Sequence, residues 1–185
     1  MIDFHGEYMN KKIPIVIAVA AVSGGGKTTI AEGLKTKLDH SEVLSFDTYD
    51  FDGPDDMIEW IENGCTPDEW DLTPLIQDIK KLLVEPLDYI ILDFPFAYLH
   101  NETRDFIDYA VFIDTPLDIA LARRIIRDYQ NCSSREIHVD LENYMLRGKS
   151  GYISMLNSVK PNSDLIVDGM LSESEIVNCI ISKIT

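Results

Sequence analysis

The chain has 185 residues, 45% of them hydrophobic, and a formal net charge of −16 from 32 acidic and 16 basic side chains. That composition excludes a disordered chain and predicts one domain with its own core over residues 13–185, behind a polar N-terminal tail at 1–12 that does not resemble a secretory signal. No apolar run reaches the ~20 residues of a membrane span, the acidity argues against a nucleic-acid partner, and the scattered Cys65, Cys132 and Cys179 predict no zinc site or disulfide framework, so a cytoplasmic setting is expected.

The first element is an apolar strand over Ile13–Ala20, followed by Ala21-Val-Ser-Gly-Gly-Gly-Lys-Thr28 and a helix-prone segment from Thr29 to Leu38. Strand, glycine-rich turn and helix in this order make a phosphate-binding loop: the glycines let backbone N–H groups converge on one anion, and the helix N-terminus adds positive dipole. Ser23, Gly24, Gly25, Gly26, Lys27, Thr28 and Thr29 are therefore expected to hold a nucleotide, with Lys27 reaching a terminal phosphate and Thr28 ligating Mg²⁺. Ala21 departs from the usual GxxxxGK-Ser/Thr pattern, which starts with glycine. Val43–Phe46 reads as a short strand ending at Asp47, and Pro54–Asn63 as a helix stopped by Gly64. Thr73-Pro74 is expected to cap a helix with the apolar stripe Leu75, Ile76, Ile79, Leu82 and Leu83.

Tyr89–Asp93 and Tyr109–Asp114 are apolar runs ending in an acid, the pattern of buried parallel strands. Thr115-Pro116 is expected to cap a helix reaching Gln130. Residues 138–159 carry apolar side chains at helical spacing, with Gly148 and Gly151 as candidate breaks. Leu165–Val167 is a last strand, and Ser172 with Glu175 forms a capping box for a terminal helix. Strands alternating with helices predict an α/β fold with a parallel sheet, whose ligand crevice lies beyond the carboxyl ends of the strands.

That rule gathers the loop, Asp47 and Asp93 on one rim. Asp47 suits a base that orients and deprotonates an attacking hydroxyl, and Asp93 suits the acid that serves Mg²⁺. Arg123, Arg124, Arg127 and Arg135 are candidates to clamp transferring phosphoryl oxygens, with salt bridging to surface carboxylates the expected fate of one of the four. Tyr49, Asp71 and Phe96 are candidate contacts to the acceptor, whereas His100 and His138 are expected to be solvated.

The loop, Ser45-Phe46-Asp47-Thr48-Tyr49, Asp118–Asp128 with its Arg-Arg-Ile-Ile-Arg-Asp stretch, and Val159–Val167 together resemble the uridine kinase family of phosphate-loop kinases, over roughly residues 13–170. The resemblance implies a five-stranded sheet of order 2-3-1-4-5 with an arginine-bearing lid, ATP with Mg²⁺, and transfer of a γ-phosphate to a small-molecule hydroxyl, on a nucleoside or other ribosyl compound. It implies a catalytic acid at Asp47, hydroxyl contacts at Asp71, and lid arginines at Arg123, Arg127 and Arg135. Phe94 stands where the family usually has glycine, and the base-holding segment that uridine kinases carry between the positions of Asp71 and Asp93 is replaced by one helix and a short loop. The alternative is a nucleotide-binding regulatory protein of the same fold without phosphotransfer, and a homo-oligomer is compatible with either.

Overall fold

The structure is a computed structural model and describes residues 13–184, so the tail expected at 1–12 lies outside the described residues. Strands β1 (Ile15–Ala20), β2 (Ser41–Ser45), β3 (Tyr89–Asp93), β4 (Tyr109–Asp114) and β5 (Leu165–Asp168) form one parallel sheet of order β2-β3-β1-β4-β5. The helices are α1 (Lys27–Lys37), α2 (Met57–Glu62), α3 (Thr73–Leu82), α4 (Leu117–Asp128), α5 (Ser134–Asn143), α6 (Lys149–Ser158) and α7 (Glu173–Ile184). Among the described residues no helix is long and apolar enough to cross a membrane.

Strand alternation divides β1 between two cores. Val16, Ala18 and Ala20 face one side, with Leu75, Ile76 and Ile79 of α3 and the side chains of Phe94 and Phe112. Ile17, Val19 and Ala21 face the other, with Ile30, Ala31 and Leu34 of α1 and Ile176, Val177 and Ile180 of α7. Both faces of β1 are buried, which is why it reads as a continuous apolar run. The register sets Val19, Asp93 and Ser45 side by side at the carboxyl edge of the sheet.

Several local expectations give way to tertiary contacts. Thr115 does not cap α4: Pro116 occupies the cap position, and the Thr115 hydroxyl donates to the Gly25 carbonyl at 2.9 Å, holding the phosphate loop from a distant strand end. Thr73 is the first residue of α3, and its N–H donates to the Asp71 carboxylate at 2.9 Å. Gly148 and Gly151 do not break the chain's helical course, because α5 and α6 are joined by a π-helical segment, Tyr144–Gly148. His138 is exposed as expected, but His100 is buried, with its Nε2 3.1 Å from the Trp70 carbonyl oxygen.

Candidate active site

The phosphate loop follows β1 because the strand runs straight into the cleft at the sheet's carboxyl edge. Ala21 is buried, and a methyl group added at Gly25 would lie 2.7 Å from the Ala21 Cβ, so the loop's entrance admits only a small side chain. Gly24 has φ +78°, and a Cβ there would meet the Ala120 carbonyl oxygen of α4 at 2.0 Å. Gly26 has φ +103°, and a Cβ there would meet nothing within 4 Å. The loop is thus pressed onto α4 at one glycine and open at the other, at the N-terminus of α1, where an anion is favoured.

Asp93 is fully buried. Its Oδ1 lies 2.9 Å from the Lys27 ammonium, and its Oδ2 accepts from the Thr28 hydroxyl at 2.7 Å and from the Ser45 hydroxyl at 2.9 Å. A buried carboxylate needs this matched cation and these donors to offset desolvation. The Lys27 ammonium is also 3.7 Å from Asp47 Oδ2, whose side chain is 70% exposed. Lys27 therefore stands between one buried carboxylate and one that faces the cleft mouth. Ser45 was not among the residues expected at the site; its signal is its place one residue before Phe46-Asp47 and in register with Asp93.

Helix α4 presents Arg123, Arg124 and Arg127 to the cleft. Arg124 forks onto Asp140 of α5 at 3.1 and 2.5 Å, and Arg127 onto Asp128 at 2.6 and 3.2 Å. Arg123 reaches the Gly169 carbonyl at 3.5 Å. Two of the four candidate arginines thus form salt bridges, where one was expected. The Arg127 guanidinium is held charged chiefly by Asp128, with the carboxylate of Asp47 contributing.

The other half of the cleft is apolar and aromatic. Phe46, Trp60, Trp70 and Phe96 make its wall, with Phe46–Trp70 centroids at 5.4 Å, Phe46–Phe96 at 5.5 Å and Trp60–Trp70 at 6.1 Å. Short α2 closes the wall with Met57, Ile58 and Ile61. The whole cleft encloses about 1150 Å³, room for a nucleotide and a second small molecule.

The structure brings the loop, Asp47, Phe96 and the α4 arginines to this cleft and leaves four expected residues off its wall, Asp93 among them, buried behind Lys27 and Thr28. Tyr49 stacks on Phe51 at 5.1 Å and donates its hydroxyl to Asp78 at 3.0 Å. Asp71 accepts from the first turn of α3, and those hydrogen bonds hold its carboxyl below the usual range. Arg135 lines a separate shallow pocket with Tyr129 and Glu136. Arg147 and Tyr152 were not anticipated. Both line the cleft from the π segment and α6, and no local motif marks them.

The donor set fits ATP with Mg²⁺. The open cradle at Gly26 suits phosphate oxygens, and Thr28 and Asp93 place a hydroxyl and a carboxylate together beside it. Among the described residues no cluster of three acidic, histidine or cysteine side chains is disposed to hold a metal.

The family model for the phosphoribulokinase / uridine kinase family matches residues 67–175. The uridine kinase of Lactobacillus johnsonii is 29% identical over 187 positions, covering 86% of this chain and 88% of that protein. The uridine kinase of Leuconostoc citreum is 28% identical, covering 83% and 87%. Among solved structures, deoxyadenosine kinase from M. mycoides with bound dCTP superposes with a TM-score of 0.53 at 16% identity, covering 92% of this chain and 98% of that one. A sugar kinase from Janibacter sp. gives 0.54 at 15% identity, covering 91% and 93%; both share the fold. With the family model spanning more than half of its length, this chain belongs to the phosphoribulokinase / uridine kinase family.

Proposed function

We propose that the protein is a small-molecule kinase that transfers the γ-phosphoryl group of ATP to a hydroxyl of a nucleoside-like acceptor. The observation that carries this reading is the position of Asp47: its carboxylate lies 3.7 Å from the Lys27 ammonium, on the border between the phosphate loop and the aromatic half of the cleft. A protein that only binds nucleotide needs the loop but not an exposed carboxylate facing a second, ring-sized lobe.

In this reading the loop N–H groups and Lys27 hold the β- and γ-phosphates, and Thr28 with Asp93 would hold Mg²⁺. The metal, when bound, supplies charge neutralisation at the phosphates. Asp47 orients the acceptor hydroxyl and takes its proton as the new P–O bond forms and the bond from the γ-phosphorus to the β–γ bridging oxygen breaks, releasing ADP. Arg123 and Arg127 flank the transferred group. Their guanidinium donors match phosphoryl oxygens in the transition state, and Arg127 would exchange Asp128 for phosphate. The likeness to uridine kinases supports a nucleoside as acceptor, and the aromatic wall offers a planar base a stacking surface. A cytoplasmic setting, where ATP is abundant, goes with this reading.

The test is ADP release with ATP, Mg²⁺ and a panel of nucleosides and sugars. Acceptor-dependent release is expected, and Asp47→Asn is expected to lower it ~10²–10⁴-fold with ATP binding retained. Undiminished transfer in that variant would remove Asp47 from the role of base, and no acceptor-dependent release with any compound would overturn the kinase reading.

A further inference from the structure

Five basic side chains line the cleft: Lys27, Arg123, Arg124, Arg127 and Arg147. Four are engaged, Lys27 with Asp93 and Asp47, Arg123 with the Gly169 carbonyl, Arg124 with Asp140, and Arg127 with Asp128. The Arg147 side chain makes no hydrogen bond or ion pair among the described residues. Arg147 is exposed, so its charge is open to an anion that enters the cleft.

Its segment meets the aromatic side of the cleft through α2. Arg147 belongs to the π segment, which packs against α2, and one turn on Gly151 lies where a Cβ would be 3.5 Å from Ile61 of α2. Helix α2 gives Met57, Ile58, Trp60 and Ile61 to the cleft, while its acids Glu59 and Glu62 are not on the wall. Arg147 thus lines the cleft from a segment packed on the helix that supplies part of its apolar and aromatic wall. Single π turns within α-helices recur at functional sites because the extra residue redirects a side chain. Trp60 donates its indole N–H to the Thr66 carbonyl at 2.9 Å, which fixes that ring in the aromatic wall.

We propose that the acceptor is a planar-ring compound bearing a carboxylate on its ring, and that Arg147 recognises that carboxylate. This rests on the kinase reading above and names its substrate class. The ring lies along Trp70 and Phe96, the hydroxyl points to Asp47, and the ring carboxylate meets the fork of Arg147, which matches carboxylate geometry with paired donors. The local cation is needed because a net charge of −16 otherwise repels an anionic acceptor.

The test compares uridine with orotidine, the same nucleoside carrying a ring carboxylate. In ADP release, orotidine is expected to exceed uridine at least tenfold in kcat/KM. Arg147→Gln is expected to raise the KM for orotidine at least tenfold without moving the KM for ATP, and Arg147→Lys to recover part of the loss. A preference for uridine, or an orotidine-to-uridine ratio unchanged in Arg147→Gln, overturns the proposal. Tryptophan fluorescence titration with each nucleoside, without ATP, separates this proposal from the kinase reading. Tighter orotidine binding that Arg147→Gln abolishes upholds the proposal even where neither nucleoside is phosphorylated, an outcome that counts only against turnover. Equal binding, or no saturable binding of either, overturns it.

Discussion

Gly24 and Gly26 share a left-handed backbone, yet they answer to different neighbours. At Gly24 a methyl group would sit 2.0 Å from a backbone carbonyl of α4, so the loop and that helix would have to separate. At Gly26 the space beyond Cα is open, and only the φ of +103° disfavours alanine. Left-handed backbone costs a non-glycine residue roughly 1–2 kcal/mol. Gly26→Ala is therefore expected to lose about that much stability and to fold, with weakened ATP binding because its methyl projects into the phosphate cradle. Gly24→Ala is expected to lose about 2 kcal/mol more, since the clash adds to the same strain. Urea denaturation of the two variants checks the order, and equal losses would show that the contact with α4 is not what fixes the loop.

The helices on the open side of the cleft are joined by one ion pair. Arg124 of α4 forks onto Asp140 of α5, with side chains 16% and 19% exposed. The guanidinium hydrogen bonds hold the Asp140 carboxyl below the ordinary aspartate value, against the opposing effect of burial. A carboxylate with a lowered folded pKa stabilises the fold fully above its unfolded value of about 3.9, and that contribution fades as pH falls through the lowered value. Asp140→Asn is expected to lower stability by about 1–2 kcal/mol at pH 7, the range for a hydrogen bond to a charged group partly screened by solvent. The difference from the unaltered protein should hold steady down to about pH 5 and shrink below about pH 4. A difference that stays constant into acid would show that the pair does not carry the tie. The same region shows where local patterning stops being informative. The apolar spacing over 138–159 is helical throughout, but a π turn depends on packing against α2, so the glycines read as breaks. Thr115-Pro116 has the form of a cap, yet its hydroxyl is drawn to Gly25, ninety positions away in the chain.

At the level of the molecule, the strands were legible from the residues, their order followed only from the family resemblance, and the acceptor wall was legible from neither. Each buried parallel strand announces itself through its own apolar run, and the sheet edge then brings Ser45, Asp93 and the phosphate loop together without further instruction. The aromatic lobe is assembled instead from α2, the β2–α2, α2–α3 and β3–β4 connections and the π segment, whose packing on one another no local pattern announces, so Tyr49 and Asp71 read as acceptor contacts although other side chains occupy that wall. The donor half is also where binding and folding are coupled, because Lys27 both neutralises the buried Asp93 and meets phosphate. ATP with Mg²⁺ at a hundred times its dissociation constant should add about 2.7 kcal/mol to stability, a rise of roughly 5–10 °C in Tm for a chain of this size. Lys27→Ala should abolish most of that rise and also lower the Tm of the free protein, since an unpaired buried carboxylate costs about 3–5 kcal/mol. Adding Asp93→Asn to Lys27→Ala should recover much of the free protein's Tm, because the uncompensated charge is gone, while the ATP-dependent rise stays lost. Recovery of both would mean that Lys27 serves only the fold, and recovery of neither would mean that the buried pair is not what links the loop to the sheet.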